Sequence, residues 1–156
     1  MPNSNPVYTE FASPIGRLRI VARDRAIVRI AFDCDTVTAP MGRSALLDEA
    51  CRQLTEYFEG KRRAFDLPAE PAGTEFQSKV WRALTAIPYG ETATYGQIAA
   101  AIGAPRAARA VGMANYANPL PILIPCHRVI AADGRPAGYR GGLEAQAFLL
   151  GMENNR

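Results

Sequence analysis

The sequence predicts an α/β protein in two parts: a small N-terminal sheet-and-helix domain, residues 1–70, and an α/β C-terminal domain, residues 71–156, containing a helix-turn-helix. Three observations carry this expectation. Apolar and polar residues alternate through "RLRIVA" and "AIVRIAF" near the N-terminus, which is the period of half-buried strands. The segment "DLPAEPAG", Asp66 to Gly73, combines prolines and a glycine with no periodicity and reads as the linker. Beyond it, two short helical segments meet at a glycine, ahead of an apolar, strand-like run.

The elements follow in chain order. "RLRIVA" and "AIVRIAF" flank the polar turn "RDR" as a hairpin. From Ser44 to Gly60, Leu46, Leu47, Ala50, Cys51, Leu54, Tyr57 and Phe58 recur at helical spacing, and Gly60 supplies a stop. Cys51 falls on the packed face of that helix, where a free thiol behaves as a small hydrophobe. Thr74 caps a helix carrying Phe76, Val80, Trp81, Leu84 and Ile87, which "PYG" ends. Thr94 and Gln97 make a capping box for a short helix that Gly103 closes, and Pro105 opens a second helix running to about Asn115. This second helix is crowded with Ala107, Ala108, Ala110, Gly112 and Ala114 and carries only Arg106 and Arg109 as charges. So thin a helix approaches a groove closely, although two packed helices that bind nothing give the same pattern. "PILIPCHRVI", Pro121 to Ile130, reads as a strand. An Asp133-Gly134 turn follows within "ADGRPAGY", and Leu143 to Glu153 forms the last helix.

Composition narrows the class. With 48% hydrophobic and 21% charged residues, and no apolar run near the roughly 18 residues of a membrane span, no membrane partner is expected. The N-terminus lacks a basic-then-apolar signal pattern, and a cytoplasmic location is the expectation. A net charge of +3 is too small to announce nucleic-acid binding by itself. Cys34, Cys51 and Cys126 are irregularly spaced, at least one of them must be a free thiol, and with a single histidine no metal is expected.

Cys126 stands beside that histidine, His127. An ordinary thiol titrates near ~8.5, so a nucleophilic role needs an adjacent base or a positive field. Neighbouring side chains on a strand point to opposite faces, so a water between thiol and imidazole is the natural link. The imidazole in turn needs an acceptor, and downstream only Asp133, Glu144 and Glu153 offer one; spacing does not choose among them. The pair is compatible with a buried core thiol and a structural histidine, an acyl-transfer hydrolase, a DNA-binding regulator with an incidental thiol, or a group-transfer protein acting on DNA.

"NPLPILIPCHRVI", Asn118 to Ile130, closely resembles the active-site segment of the O6-alkylguanine-DNA alkyltransferases, also called methylated-DNA–protein-cysteine methyltransferases. The resemblance continues through "FQSKVWRALTAIPYGETATYGQIAAAIGAP", "RAARAVGMAN" and "GYRGGLEAQAFLLGME", covering almost all of Thr74 to Glu153, while the N-terminal third fits the family's less distinctive lobe. The resemblance implies a stand-alone, monomeric DNA repair protein that moves an alkyl group from O6-alkylguanine irreversibly to its own Cys126. It works once and needs no cofactor. His127 activates the thiol through a water, Glu153 orients His127, and Tyr95 assists guanine departure. The small-residue helix enters the minor groove of double-stranded DNA, and Arg109 fills the gap left by the flipped nucleotide. Flipping is required because the thiol cannot reach a base inside the stack. Asn118 ties the turn before the active-site strand, Tyr139 and Arg140 lie on the loop lining the base pocket, and Ala108, Ala110, Gly112, Asn115 and Val129 complete the DNA- and substrate-binding set. Two residues depart from the pattern. Gln146 stands where many relatives have lysine, which implies a slower or more pH-dependent acceptor, and Arg140 stands where Gly or Ser is common. The alternative implied by resemblance is a sensor that binds alkylated DNA without transfer.

Overall fold

A computed structural model describes residues 5–136 and 138–154 of the chain; residues 1–4, 137, 155 and 156, the ends of both expected domains and one position of "ADGRPAGY", lie outside the described residues. The chain divides into two compact units, Met1–Ala72 and Gly73–Arg156.

The first unit is a three-stranded antiparallel sheet in the order β1-β2-β3, with β1 at Val7–Ser13, β2 at Gly16–Arg23 and β3 at Ala26–Ala31. The sequence reading named only the latter two. β1 hides because "VYTEFAS" is half-buried along most of its length and shows no clean alternation. Its turn into β2 is held by the Ser13 hydroxyl, which donates to the Gly16 carbonyl and accepts from the Ile15 amide. Helix α1, Ala45–Phe58, starts at a Ser44 cap that accepts from the Leu47 amide. Beneath it, Leu18, Ile20, Ile27, Ile30, Leu47, Leu54 and Tyr57 form a closed core. Cys51 is half-buried, not packed in that core, because it lies at the margin of the apolar stripe.

The expected linker is not free chain. The Ile27 amide donates to the Pro68 carbonyl at 2.8 Å and the Glu70 amide to the Ile27 carbonyl at 2.9 Å, so this stretch zips onto the exposed edge of β3. Prolines suit an edge, where the missing donor faces away from the ladder. Its Asp66 end is fixed by Gln53, a buried α1 side chain that accepts from the Asp66 amide at 2.9 Å and donates to the Asp66 carbonyl at 3.0 Å.

The second unit contains α2 (Glu75–Thr85), β4 (Ala93–Thr94), α3 (Tyr95–Ala101), α4 (Ala108–Tyr116), β5 (Val129–Ile130) and α5 (Leu143–Asn154). Capping boxes open α2 and α3 at Thr74 and Thr94. α2, α3 and α4 pack on one another, pinned where the Trp81 indole donates to the Ala114 carbonyl at 2.9 Å. Gly103, with φ +79, closes α3. α4 begins at Ala108, later than expected: Pro105 and Arg106 form a separate turn in which the Ala107 amide bonds to the Ala104 carbonyl. The largest departure from the sequence reading concerns Cys126, which sits on no strand. Cys126–Arg128 is a 3-10 turn, and only Val129–Ile130 pairs, in parallel, with Ala93–Thr94. Pro121 and Pro125 remove ladder donors and Ile122 adopts φ +77, so an all-apolar run becomes a buried, irregular passage. No described helix is long and apolar enough to cross a membrane.

Replacing Gln53 with leucine leaves the Asp66 backbone unpaired beneath α1, and urea unfolding should show a loss of about 2–3 kcal/mol, whereas Gln53→Glu, which keeps an acceptor for the Asp66 amide, should lose less.

Candidate active site

A buried irregular segment must find partners for its backbone polar groups, and here side-chain amides supply them. Asn118 donates to the Ile124 carbonyl at 2.8 Å and accepts from the Leu120 amide at 2.9 Å. Asn115, from the inner face of α4, donates to the Cys126 carbonyl at 3.3 Å. Gln146, fully buried on α5, donates to the carbonyls of His127 and Val129 at 3.1 and 3.0 Å. Gln146 therefore organises the backbone of the turn and brings no charge to it.

Within this frame Cys126 is 4% exposed. Burial pushes its thiol up to about 11, opposed by a hydrogen bond from Asn118, the charge of Arg140 and its own backbone. At neutral pH the resting group is the thiol, and a base must remove its proton.

His127 is completely buried, with Nε2 2.8 Å from Glu153 Oε2. The carboxylate accepts, so the proton sits on Nε2 and Nδ1 carries a bare lone pair. That Nδ1 has no hydrogen-bond partner among the described residues. Burial lowers the imidazole's pKa more than Glu153 raises it, so the ring is neutral at physiological pH. Glu153 is shared: Arg128 donates to both of its oxygens, at 2.8 and 3.0 Å, and to the Ile87 carbonyl at 2.8 Å. Sequence reading passed over Arg128. A charged residue inside an otherwise apolar, buried run was the available signal, because such a charge survives burial only when paired.

The remaining walls come from α3, α4 and the loop before α5. Pairing of Ala93 with Val129 places Tyr95, the first residue of α3, close enough for its hydroxyl to feel the negative charge Cys126 takes on when it ionises. Burial and that charge both raise the tyrosine's pKa, keeping it a donor. Its ring lies against Gly112 of α4, where an added Cβ would sit 3.7 Å away. Gly138 has φ +70, and a Cβ there would come within 2.6 Å of the Tyr95 hydroxyl, so neither the backbone nor the space admits another residue. Tyr139 is buried with its ring edge-on to His127, centroids 6.4 Å apart, and Arg140 donates to the Tyr116 carbonyl at 3.2 Å.

Cys126, His127, Glu153, Tyr95, Asn115, Asn118, Val129, Tyr139 and Arg140 are thus brought together. Arg109 and Ala110 stand exposed on α4, with Ala108 half-buried beside them. α4 is not as bare as its composition implies: Met113 is 71% exposed and Tyr116 53% exposed. Arg106 lies in the preceding turn, outside the helix. Among the described residues no group of three or more His, Cys, Asp or Glu side chains could hold a metal ion.

Two family models match the chain. Residues 75–155 match the 6-O-methylguanine DNA methyltransferase DNA-binding domain, and residues 7–71 match the ribonuclease-like domain of the same family. A methylated-DNA–protein-cysteine methyltransferase of Methanosarcina barkeri is 46% identical over 153 residues, 95% of this chain and 97% of that protein. The one from Mycobacterium bovis is 53% identical over 153 residues, 96% of this chain and 93% of that protein. The Mycobacterium tuberculosis O6-methylguanine methyltransferase crystal structure superposes with a TM-score of 0.89 at 41% identity, covering 97% of this chain and 94% of that one. A crystal structure of Mycobacterium tuberculosis OGT in complex with DNA gives 0.89 at 43% identity, covering 94% and 92%.

Because His127 is the chain's only histidine, its imidazole titration is read from one set of NMR signals, and its midpoint should lie below the ordinary value of 6.5. The unfolded imidazole takes up a proton near about pH 6.5 while the buried one does not. Its contribution to stability is therefore complete above that pH and is lost as pH falls towards the folded midpoint. A midpoint at or above the ordinary value would contradict a neutral, desolvated ring.

Proposed function

The chain belongs to the 6-O-methylguanine DNA methyltransferase family, and we propose that Cys126 is its alkyl acceptor. DNA is its partner and DNA repair by alkyl transfer its activity. The Glu153–His127 hydrogen bond carries the assignment, because it fixes the tautomer whose unpartnered Nδ1 serves as base for a buried thiol.

The substrate in this reading is O6-alkylguanine in double-stranded DNA, bound by a monomeric, cytoplasmic protein. Residues 71–156 are the DNA-binding and acceptor domain, and residues 1–70 a separate sheet-and-helix domain. α4 lies in the minor groove with Ala108, Ala110 and Gly112 permitting close approach, while Arg109 occupies the space of the extruded nucleotide. The flipped guanine enters beside Tyr95, Val129 and Tyr139. A water relays the thiol proton to His127 Nδ1, and Glu153 stabilises the imidazolium that forms. The Cys126 sulfur attacks the alkyl carbon, forming a C–S bond as the C–O6 bond breaks, with the electron pair passing to the guanine ring. The Tyr95 hydroxyl, held as a donor, stabilises that developing charge. The product thioether has no leaving group at neutral pH, so each molecule reacts once, whereas the acyl-enzyme of a hydrolase is opened by water.

Incubation with duplex DNA containing O6-methylguanine, followed by intact and peptide mass spectrometry, should add one methyl group per protein on Cys126 and none in Cys126→Ser. Binding without transfer would instead indicate a sensor of damaged DNA. Tyr95→Phe should retain binding and slow single-turnover transfer by about a hundredfold, the usual cost of one donor aimed at developing charge.

A further inference from the structure

Three consecutive residues ahead of α5 each touch a different wall of the acceptor site. Gly138 closes on the Tyr95 hydroxyl, Tyr139 packs edge-on against His127, and Arg140 reaches back to the last carbonyl of α4. The loop is therefore fastened at both sides of the thiol, and its fastening to α4 is a cation at a helix C-terminus, where the aligned peptide dipoles favour positive charge.

The charges around Cys126 leave a specific role open. Tyr95 from α3 and Tyr139 from the loop are held neutral. His127, beside the thiol, is neutral in the resting site. From α5 come the uncharged Gln146 and Glu153, whose negative charge is paired with Arg128. Asn115 and Asn118 are amides. Arg128 is committed to Glu153 and the Ile87 carbonyl. Arg140 is half-buried and its charge acts on both Cys126 and Tyr139.

We propose that Arg140 is a positioning residue for the transfer step: bonded to the Tyr116 carbonyl, it latches the Gly138–Arg140 loop to the end of α4 and keeps its positive charge where it acts on the Cys126 sulfur. The proposal rests on Cys126 being the acceptor. It assigns the guanidinium two effects, one geometric and one electrostatic, which substitution separates. Glutamine keeps a donor for the Tyr116 carbonyl without the charge, and lysine keeps the charge on a differently shaped donor.

The test is the pH dependence of Cys126 alkylation by iodoacetamide in the full-length protein without DNA, followed by peptide mass spectrometry so that Cys34 and Cys51 do not contribute. It is paired with single-turnover methyl transfer from O6-methylguanine duplex DNA over the same pH range. Losing a cation raises the thiol's pKa, so Arg140→Gln should move both profiles to higher pH and lower the rates near neutrality on the order of tenfold, one pH unit's worth of thiolate. Arg140→Lys should restore them. Arg140→Ala, lacking both charge and latch, should match the glutamine variant towards iodoacetamide and be slower still in transfer. Profiles for Arg140→Gln that overlay those of the parent protein would overturn the proposal. Absence of any methyl transfer by the parent protein, with its iodoacetamide profile still sensitive to Arg140, would overturn the acceptor reading and leave the electrostatic assignment standing.

Discussion

The site around Cys126 depends on one constraint: the chain from Asn118 to Arg128 is largely buried without forming an α-helix or a strand. Such a passage cannot hand its carbonyls to water or to a ladder, and three buried amides take them instead, Asn118 on Ile124, Asn115 on Cys126 and Gln146 on His127 and Val129. An unpaired buried carbonyl costs about 1–3 kcal/mol, so these side chains hold the 3-10 turn in place as firmly as strand pairing would. They come from α4, its following loop and α5, so the turn depends on the packing of those helices around it. The reward is a sulfur at a fixed position, on a turn whose neighbouring side chains need not alternate between opposite faces as they would on a strand.

Glu153 provides the electrostatic counterpart. One carboxylate orients His127 and accepts both arms of Arg128, and all three groups are buried. A buried Arg–Glu pair adds little net stability, since desolvation offsets its attraction, but removal of either partner strands a charge at a cost of about 3–5 kcal/mol. The arrangement thus serves orientation more than stability. Burial acts on Cys126 and His127 in opposite directions, raising the thiol and lowering the imidazole, so both rest neutral. Such a thiol is quiet at neutral pH until a base removes its proton.

Small residues then decide what can approach. Gly112 and Gly138 admit the Tyr95 ring and hydroxyl, and the alanines of α4 leave its outer surface low except at Arg109, Met113 and Tyr116. Shape and chemistry are coupled here, because the same glycines that thin the wall of the site also let the Tyr95 hydroxyl come close to it.

The sequence by itself determined the local features. The cap at Thr74, the capping box at Thr94, the stops at Gly60 and Gly103, the hairpin of β2 and β3 and the helix from Ser44 were legible because each depends on residues within a few positions of one another. The Cys126-His127 pair was legible as a candidate from its residues, with Glu153 as one of three possible acids, whereas the choice of Glu153 and the role of Tyr95 came only through resemblance over a long block. Tertiary structure alone decided that the apolar run around Cys126 is a buried turn and not a strand, since a continuous hydrophobic run records burial and carries no period from which to read conformation. It also decided the pairing of Pro68 and Glu70 with Ile27, the burial of Arg128 against Glu153 and the reach of Arg140 to Tyr116. These contacts join residues 24 to 43 positions apart, and no local pattern encodes a partner that distant.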